Sequence, residues 1–155
     1  MAGDIIQTAA DVSGGNYSAD EVLKWLANIV RALREQTSVE CGKIGSFSTT
    51  EERGTVEINP ATKNPIPAYG RKTLNFSPSD ELTTAIRHDV VTDETLRPFD
   101  CDDGIGTCFG RALATILIME KRASLGNFGT WSIGQKPNLD RFIKFRPKSA
   151  INRML

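Results

Sequence analysis

Two blocks of this sequence occur twice, in the same order. Gly42, Gly45 and Phe47 return as Gly126, Gly129 and Trp131 at a constant offset of 84, and Phe76, Pro78, Leu82 and Ile86 return as Phe145, Pro147, Ile151 and Leu155 at an offset of 69. Ordered recurrence of this kind marks one supersecondary unit written twice, and it restricts the fold more than any single motif. The offsets of 84 and 69 differ by 15 residues, the length that the second copy lacks between its paired blocks. With 155 residues, the chain holds one compact domain or two very small units that share a core.

Local signals fill in the unit. Asp4 to Val12 is a short helical segment with Ile5, Ile6 and Ala9 turned inward, and Ser13-Gly14-Gly15-Asn16 is a turn. Ser18 is an N-cap followed by Asp20 and Glu21, whose carboxylates suit the positive end of a helix. Val22, Leu23, Leu26, Ile29, Val30 and Leu33 then recur at three- and four-residue steps as one apolar stripe. After Thr37 the strand-like run of Val39, Cys41, Ile44 and Phe47 is broken by Gly42 and Gly45, where a bend or bulge is expected. Glu51 to Gly70 carries Asn59-Pro60, Asn64-Pro65 and Pro67 with few large apolar residues, so it projects from the body. A strand from Arg71 to Phe76 and a helix opened by Ser77-Pro78-Ser79-Asp80 and running to about Arg87 close the first half. In the second half, Val90 to Leu96 is predicted as a short leading helix. Pro98 and Asp100-Cys101-Asp102-Asp103-Gly104 form a turn, and Cys108, Phe109, Ala112, Leu113, Ile116 and Met119 mark another long amphipathic helix.

Hydrophobic residues at 39% and charged residues at 25% place most of the chain in a folded body. Nineteen basic residues balance nineteen acidic ones, so any nucleic-acid function must follow from where charges lie, not from their total. Residues 1–88 hold nine Lys and Arg against eleven Asp and Glu, whereas 89–155 hold ten against eight. The excess is concentrated from Lys121 to Leu155, where eight basic side chains stand against Asp140 alone. Such a run is either a solvated surface or an anion-binding face. Three cysteines, Cys41, Cys101 and Cys108, without Cys-x-x-Cys spacing argue against a disulfide framework and against a thiolate zinc site, which favours a reducing compartment. No apolar run reaches the roughly 18 residues that span a bilayer, and Met1 to Ala10 has no positive leader. The sequence thus predicts a soluble intracellular protein.

Gly45-Ser46-Phe47, Asn59-Pro60 and Phe76-Ser77-Pro78 resemble the HU and integration host factor family of DNA-bending proteins. In that family the aromatic of the Gly-x-Phe strand lies 13 residues before the proline at the arm tip and the closing Phe lies 16 after it; Phe47 to Pro60 is 13 and Pro60 to Phe76 is 16. The resemblance covers about residues 4–88 and, without the arm, about 89–155. It implies an α+β fold of two tandem repeats, each helix, helix, three-stranded sheet and helix. Residues 1–88 would carry one β-ribbon arm at about 51–72, residues 89–155 none, and the two would intertwine as one compact pseudo-dimer. A single repeat has too little core to stand alone, and tethering two raises their effective concentration to roughly the millimolar range.

By the same resemblance, Pro60 is an apolar wedge that enters a minor-groove step and kinks the duplex, its rigid ring having no N–H that needs a partner. Asn59 reads acceptors on the groove floor. The implied DNA-binding residues are Arg53, Ile58, Asn59, Pro60, Lys63, Arg71 and Lys72 in the arm. In the basic block they are Lys136, Arg141 and Lys144, lining the concave side of a saddle, and Arg146 and Lys148 on its flank. Two features depart from the family. Ile58 stands where arginine usually precedes Asn-Pro, and the arm balances Arg53, Lys63, Arg71 and Lys72 against Glu51, Glu52 and Glu57. Fewer arm contacts to phosphate lower both affinity and its salt dependence.

The remaining conspicuous residues have structural readings. His88 joins the copies, Trp25 and Trp131 are core, Cys41 and Cys108 are small hydrophobes, and Asp100, Asp102 and Asp103 cap a helix in preference to holding calcium. No nucleophile and base set, metal constellation or phosphate loop stands out, so the reading is non-enzymatic, without metal or cofactor. The expected function is a cytoplasmic, nucleoid-associated architectural protein, or a virion protein in a viral host. It binds double-stranded DNA with low sequence specificity and bends or compacts it, as a monomeric pseudo-dimer or a homodimer, away from any membrane. The alternative is a protein-interaction module that has lost DNA binding and caps or inhibits an HU-type partner.

Overall fold

Ser18 starts the first long helix as its residue type predicts: its Oγ accepts the Glu21 N–H at 3.2 Å. The computed structural model describes residues 3–52, 57–58, 61, 65–66, 71–126, 128–138 and 140–155, with the side chains of residues 3, 4, 52, 57, 58, 65, 66 and 71 outside that description. A two-residue strand β1 (Gly3–Asp4) leads into α1 (Ile5–Val12), and α2 (Ala19–Glu35) buries Val22, Leu26, Ile29, Val30 and Leu33. Leu23 does not share that stripe; it is 52% exposed, one residue round the helix from Val22. Strand β2 (Ser38–Glu40), a 3-10 turn (Gly42–Ile44) and β3 (Gly45–Glu52) follow. Then come β4 (Glu57–Ile58), β5 (Pro65–Ile66), β6 (Arg71–Pro78) and α3 (Asp80–Ala85), the last capped by Ser79.

The second half runs α4 (Asp93–Leu96), a 3-10 turn (Cys101–Asp103), α5 (Ile105–Glu120), β7 (Arg122–Leu125), β8 (Gly129–Gln135), β9 (Arg141–Pro147) and α6 (Ser149–Met154). The expected leading helix, Val90 to Leu96, is shorter because Thr92 caps it in a reciprocal box with Thr95. Met119, expected on the buried stripe of α5, is 69% exposed. No helix among the described residues is long and apolar enough to cross a membrane.

The sheets are ordered β2-β3-β6 and β1-β7-β8-β9, with β4 and β5 forming a separate ribbon. Their registers correspond residue by residue: Gly45 faces Pro78 and Phe47 faces Phe76 in one, Gly129 faces Pro147 and Trp131 faces Phe145 in the other. The β4–β5 ribbon has the same register as the β3–β6 pair. Glu52 faces Arg71, and five residues along each strand Glu57 faces Ile66. The second hairpin instead closes at once, where the Lys136 N–H donates to the Asp140 carbonyl at 2.8 Å. Strand β1 was not legible in the sequence; it adds the start of the chain to the second sheet, in parallel with β7.

Inner faces of the two sheets meet in an aromatic cluster. Trp131 packs at 4.9 Å from Phe145, 5.9 Å from Phe76 and 6.4 Å from Phe47, and Phe47 meets Phe128 edge-on at 5.3 Å. Such pairs add about 0.5–1.5 kcal/mol each beyond the area they bury. The halves also exchange helices, α6 packing on β6 and α3 on β9. Asn152 Oδ1 accepts the Leu74 N–H at 3.0 Å, and Arg34 Nε donates to the Met154 carbonyl at 2.7 Å. Helix α5 crosses the 3-10 turn of the first half so closely that a Cβ on Gly110 would stand 2.1 Å from Ile44.

Here the fold overrules the cysteine spacing. Cys101 and Cys108 are joined as a disulfide, because the turn capped by Asp100 folds back on α5 and brings their Cα atoms to 4.2 Å. The inference of a reducing compartment loses that footing. Cys41 is free and buried, just beyond β2 and not within a strand, and burial pushes its thiol up to about 12, so it is a neutral core group.

Gly45 has φ 128° and ψ −145°, a region open essentially to glycine, and a Cβ there would lie 2.0 Å from the Ser77 carbonyl oxygen across the ladder. Gly45→Ala is expected to destabilise the fold by about 1–3 kcal/mol, read as a lower urea midpoint at unchanged slope. A midpoint equal to that of the unsubstituted chain would show that β3 and β6 do not approach here.

Candidate nucleic-acid interface

Strand alternation decides which side chains of the second sheet meet solvent. Ala123 and Trp131 point inward and are fully buried, with Phe145 partly buried beside them. The residues between them form two outward rows: Arg122, Ser132 and Lys144 in one, Ser124, Thr130 and Arg146 in the next. Lys148, the N-cap of α6, continues past them. Arg122, Thr130, Ser132, Lys144, Arg146 and Lys148 line an open groove of about 710 Å³. None of its four cations belongs to an ion pair among the described residues. Like charges held on one surface without acidic partners raise the local potential and attract polyanions.

Gly134 shapes one end of this surface. A Cβ there would stand 2.5 Å from the Phe142 ring and 2.8 Å from the Lys144 stem. Without it Phe142 lies across the strand, and the Lys144 ammonium sits 5.3 Å from the centre of its ring. A cation over an aromatic face gains about 0.5–1 kcal/mol at an exposed site, which favours one orientation of the charge.

Not every expected residue reaches the groove. Lys144, Arg146 and Lys148 do; Arg122, which charge counting alone did not single out, joins them because the register sets it beside Ser132. Lys136 is exposed at the hairpin turn, outside the groove lining. Arg141 has the opposite parity to Lys144 and so does not line the groove. Its guanidinium donates to the Ile86 carbonyl at 3.3 Å and the His88 carbonyl at 3.4 Å and pairs with Asp89, tying β9 to the segment after α3. The hydrogen bond from Arg141, then its charge, hold the exposed Asp89 carboxyl below its ordinary value, with Lys121 adding at 3.8 Å. A lowered carboxyl value means this tie is intact at neutral pH and is released as pH falls through that value.

In the arm, Lys72 is half-buried opposite Glu51, on the face that carries Leu74. The backbones of Ile58 and Arg71 face Pro65 and Glu52. Arg53, Asn59, Pro60 and Lys63 lie outside the described residues.

The first sheet presents different chemistry at the corresponding outward positions. Ser38, Ser48 and Asn75 form one row, and Glu40, Ser46 and Ser77 the next.

Comparison with known proteins bears on the first half of the chain. The family model described as bacterial DNA-binding protein matches residues 8–87. Integration host factor subunit alpha of Rhodospirillum rubrum is 36% identical over 76 residues, which make up 49% of this chain and 72% of that protein. On the span of that match and the likeness to this relative, the chain belongs to the bacterial DNA-binding protein family, the family of HU and integration host factor.

Proposed function

We propose that this protein is a non-enzymatic architectural factor that binds double-stranded DNA with low sequence preference and bends it. It would act as a monomeric pseudo-dimer in the bacterial cytoplasm, associated with the nucleoid. The observation that carries the reading is the groove of Arg122, Lys144, Arg146 and Lys148 on a sheet face free of ion-pair partners among the described residues. Contacts from such side chains to phosphates position a duplex without reading its sequence. The matched registers and the exchange of α3 and α6 support two repeats, residues 1–88 and 89–155, paired within one chain.

In this reading the ribbon that continues β3 and β6 inserts Pro60 into a minor-groove step, with Ile58 and Asn59 beside it, while Arg53, Lys63, Arg71 and Lys72 meet the backbone. The kink this opens lets the duplex fold down onto the groove, so unstacking is offset by new phosphate contacts.

Mobility-shift titration on linear, nicked and pre-bent duplexes at several salt concentrations tests the reading. Tighter binding to distorted DNA is expected, with a log–log salt slope of about −3 to −4 if each groove cation meets one phosphate. Absence of any shift at low salt, with capture of an HU-type protein instead, would overturn it in favour of a protein-interaction module. The wedge has its own test. Pro60→Ala is expected to reduce bending, read by energy transfer between labelled DNA ends, more than it reduces affinity; equal bending by the variant would remove Pro60 from that role.

A further inference from the structure

We infer that the protein grips DNA on one flank of the kink only, so that a duplex with a single flank satisfies it. This rests on the DNA-binding reading above and adds a polarity to it. The corresponding registers allow each cation of the groove to be matched with its counterpart in the first half. Arg122 corresponds to Ser38, Lys144 to Asn75, Arg146 to Ser77 and Lys148 to Ser79. All four positive charges are therefore replaced by neutral polar groups.

Negative charge takes their place nearby. Glu40 stands outward on β2 where β7 has Ser124, and Asp80 and Glu81 open α3 where α6 has Ser149 and Ala150. All three carboxylates are exposed. Lys43, on the turn before β3, is paired with Asp103 at 3.8 Å. A duplex leaving the ribbon toward the second half meets cations, and one leaving toward the first half meets hydroxyls and then carboxylates. Repulsion between phosphate and carboxylate, unrelieved by released counterions, leaves that flank in solution.

The test compares duplexes whose position for the kink is fixed by a short mismatched loop. One has full flanks on both sides of the loop, one has a single full flank, and one has both flanks cut short. The protein can turn to place its groove on whichever flank remains, so the single-flank duplex is expected to bind within about twofold of the two-flank duplex, the statistical factor for two orientations. Cutting both flanks is expected to weaken binding tenfold or more. A tenfold loss on cutting only one flank would overturn the inference while leaving DNA binding itself established. No binding to the two-flank duplex at low salt would overturn both.

A gain of contact provides the converse. Ser38→Arg with Ser77→Arg restores to two exposed positions the residue type their counterparts carry. This variant is expected to prefer the two-flank duplex over the single-flank one by about tenfold, the effect of roughly two added phosphate contacts. Unchanged preference in that variant, with its binding to the single-flank duplex intact, would show that the charge of these faces does not set the flank, and would likewise overturn the inference.

Discussion

Reversing two charges of the groove together, Lys144→Glu with Arg146→Glu, is expected to weaken duplex binding by on the order of a hundredfold. A charge-assisted hydrogen bond is worth about 1.5–3 kcal/mol, so losing two costs roughly 3 kcal/mol or more, at about 1.4 kcal/mol per factor of ten. The loss should be uniform across DNA sequences, because phosphate contacts carry no sequence information, and the salt slope should fall by roughly one per removed cation. Both side chains are exposed, so the thermal midpoint should stay close to that of the unsubstituted chain. Binding unchanged in titrations at several salt concentrations would mean that this face is not where DNA lies.

The second large effect concerns the seam between the sheets. Trp131 is fully buried and touches aromatic rings from both halves: Phe47 and Phe76 from one, Phe109, Phe128 and Phe145 from the other. Trp131→Ala is expected to cost about 3–5 kcal/mol, against a total stability of about 5–15 kcal/mol for a domain. Urea unfolding followed by circular dichroism would show it as a large drop in midpoint. Trp131→Phe should cost far less, about 1 kcal/mol. Its ring keeps most of the cluster, the corresponding Phe47 shows that a phenyl fits such a position, and the substitution removes Nε1, which lacks a hydrogen-bond partner among the described residues. If the phenylalanine variant lost as much as the alanine variant, the indole N–H would have to be making a bond of its own.

The sequence readily disclosed the paired blocks because glycines, prolines and aromatics at strand junctions are fixed by local sterics. Gly45 and Gly129 each face a proline, and that is what the recurring letters recorded. Helices α2 and α5 were legible from their periodicity, except at Leu23 and Met119, where apolar residues sit just off the buried face. Strand β1 was not legible, since two residues carry no period and are held only by β7. The Cys101–Cys108 bond was missed because it depends on how a short turn folds back on a helix, not on spacing.

For the site, counting charges located the basic block, but parity and register divided it. They added Arg122 to the groove and turned Arg141 away toward Asp89. Alternation of β9 set by Ile143 and Phe145 separates Arg141 from Lys144 and Arg146, whereas placing Arg122 takes the register with Ser132.

The matched ladders make the ribbon a transferable part. In the first hairpin Glu52 pairs with Arg71, and in the second the backbones of Lys136 and Asp140 bond at the corresponding place. Replacing Pro137, Asn138 and Leu139 by residues 53–70 would join the second hairpin at the pair that corresponds to Glu52 and Arg71, with β8 and β9 keeping the faces they show. On the proposed function, a molecule with two such projections and cations on only one half would test, in a single protein, whether opening a base step and holding the bent duplex are separable.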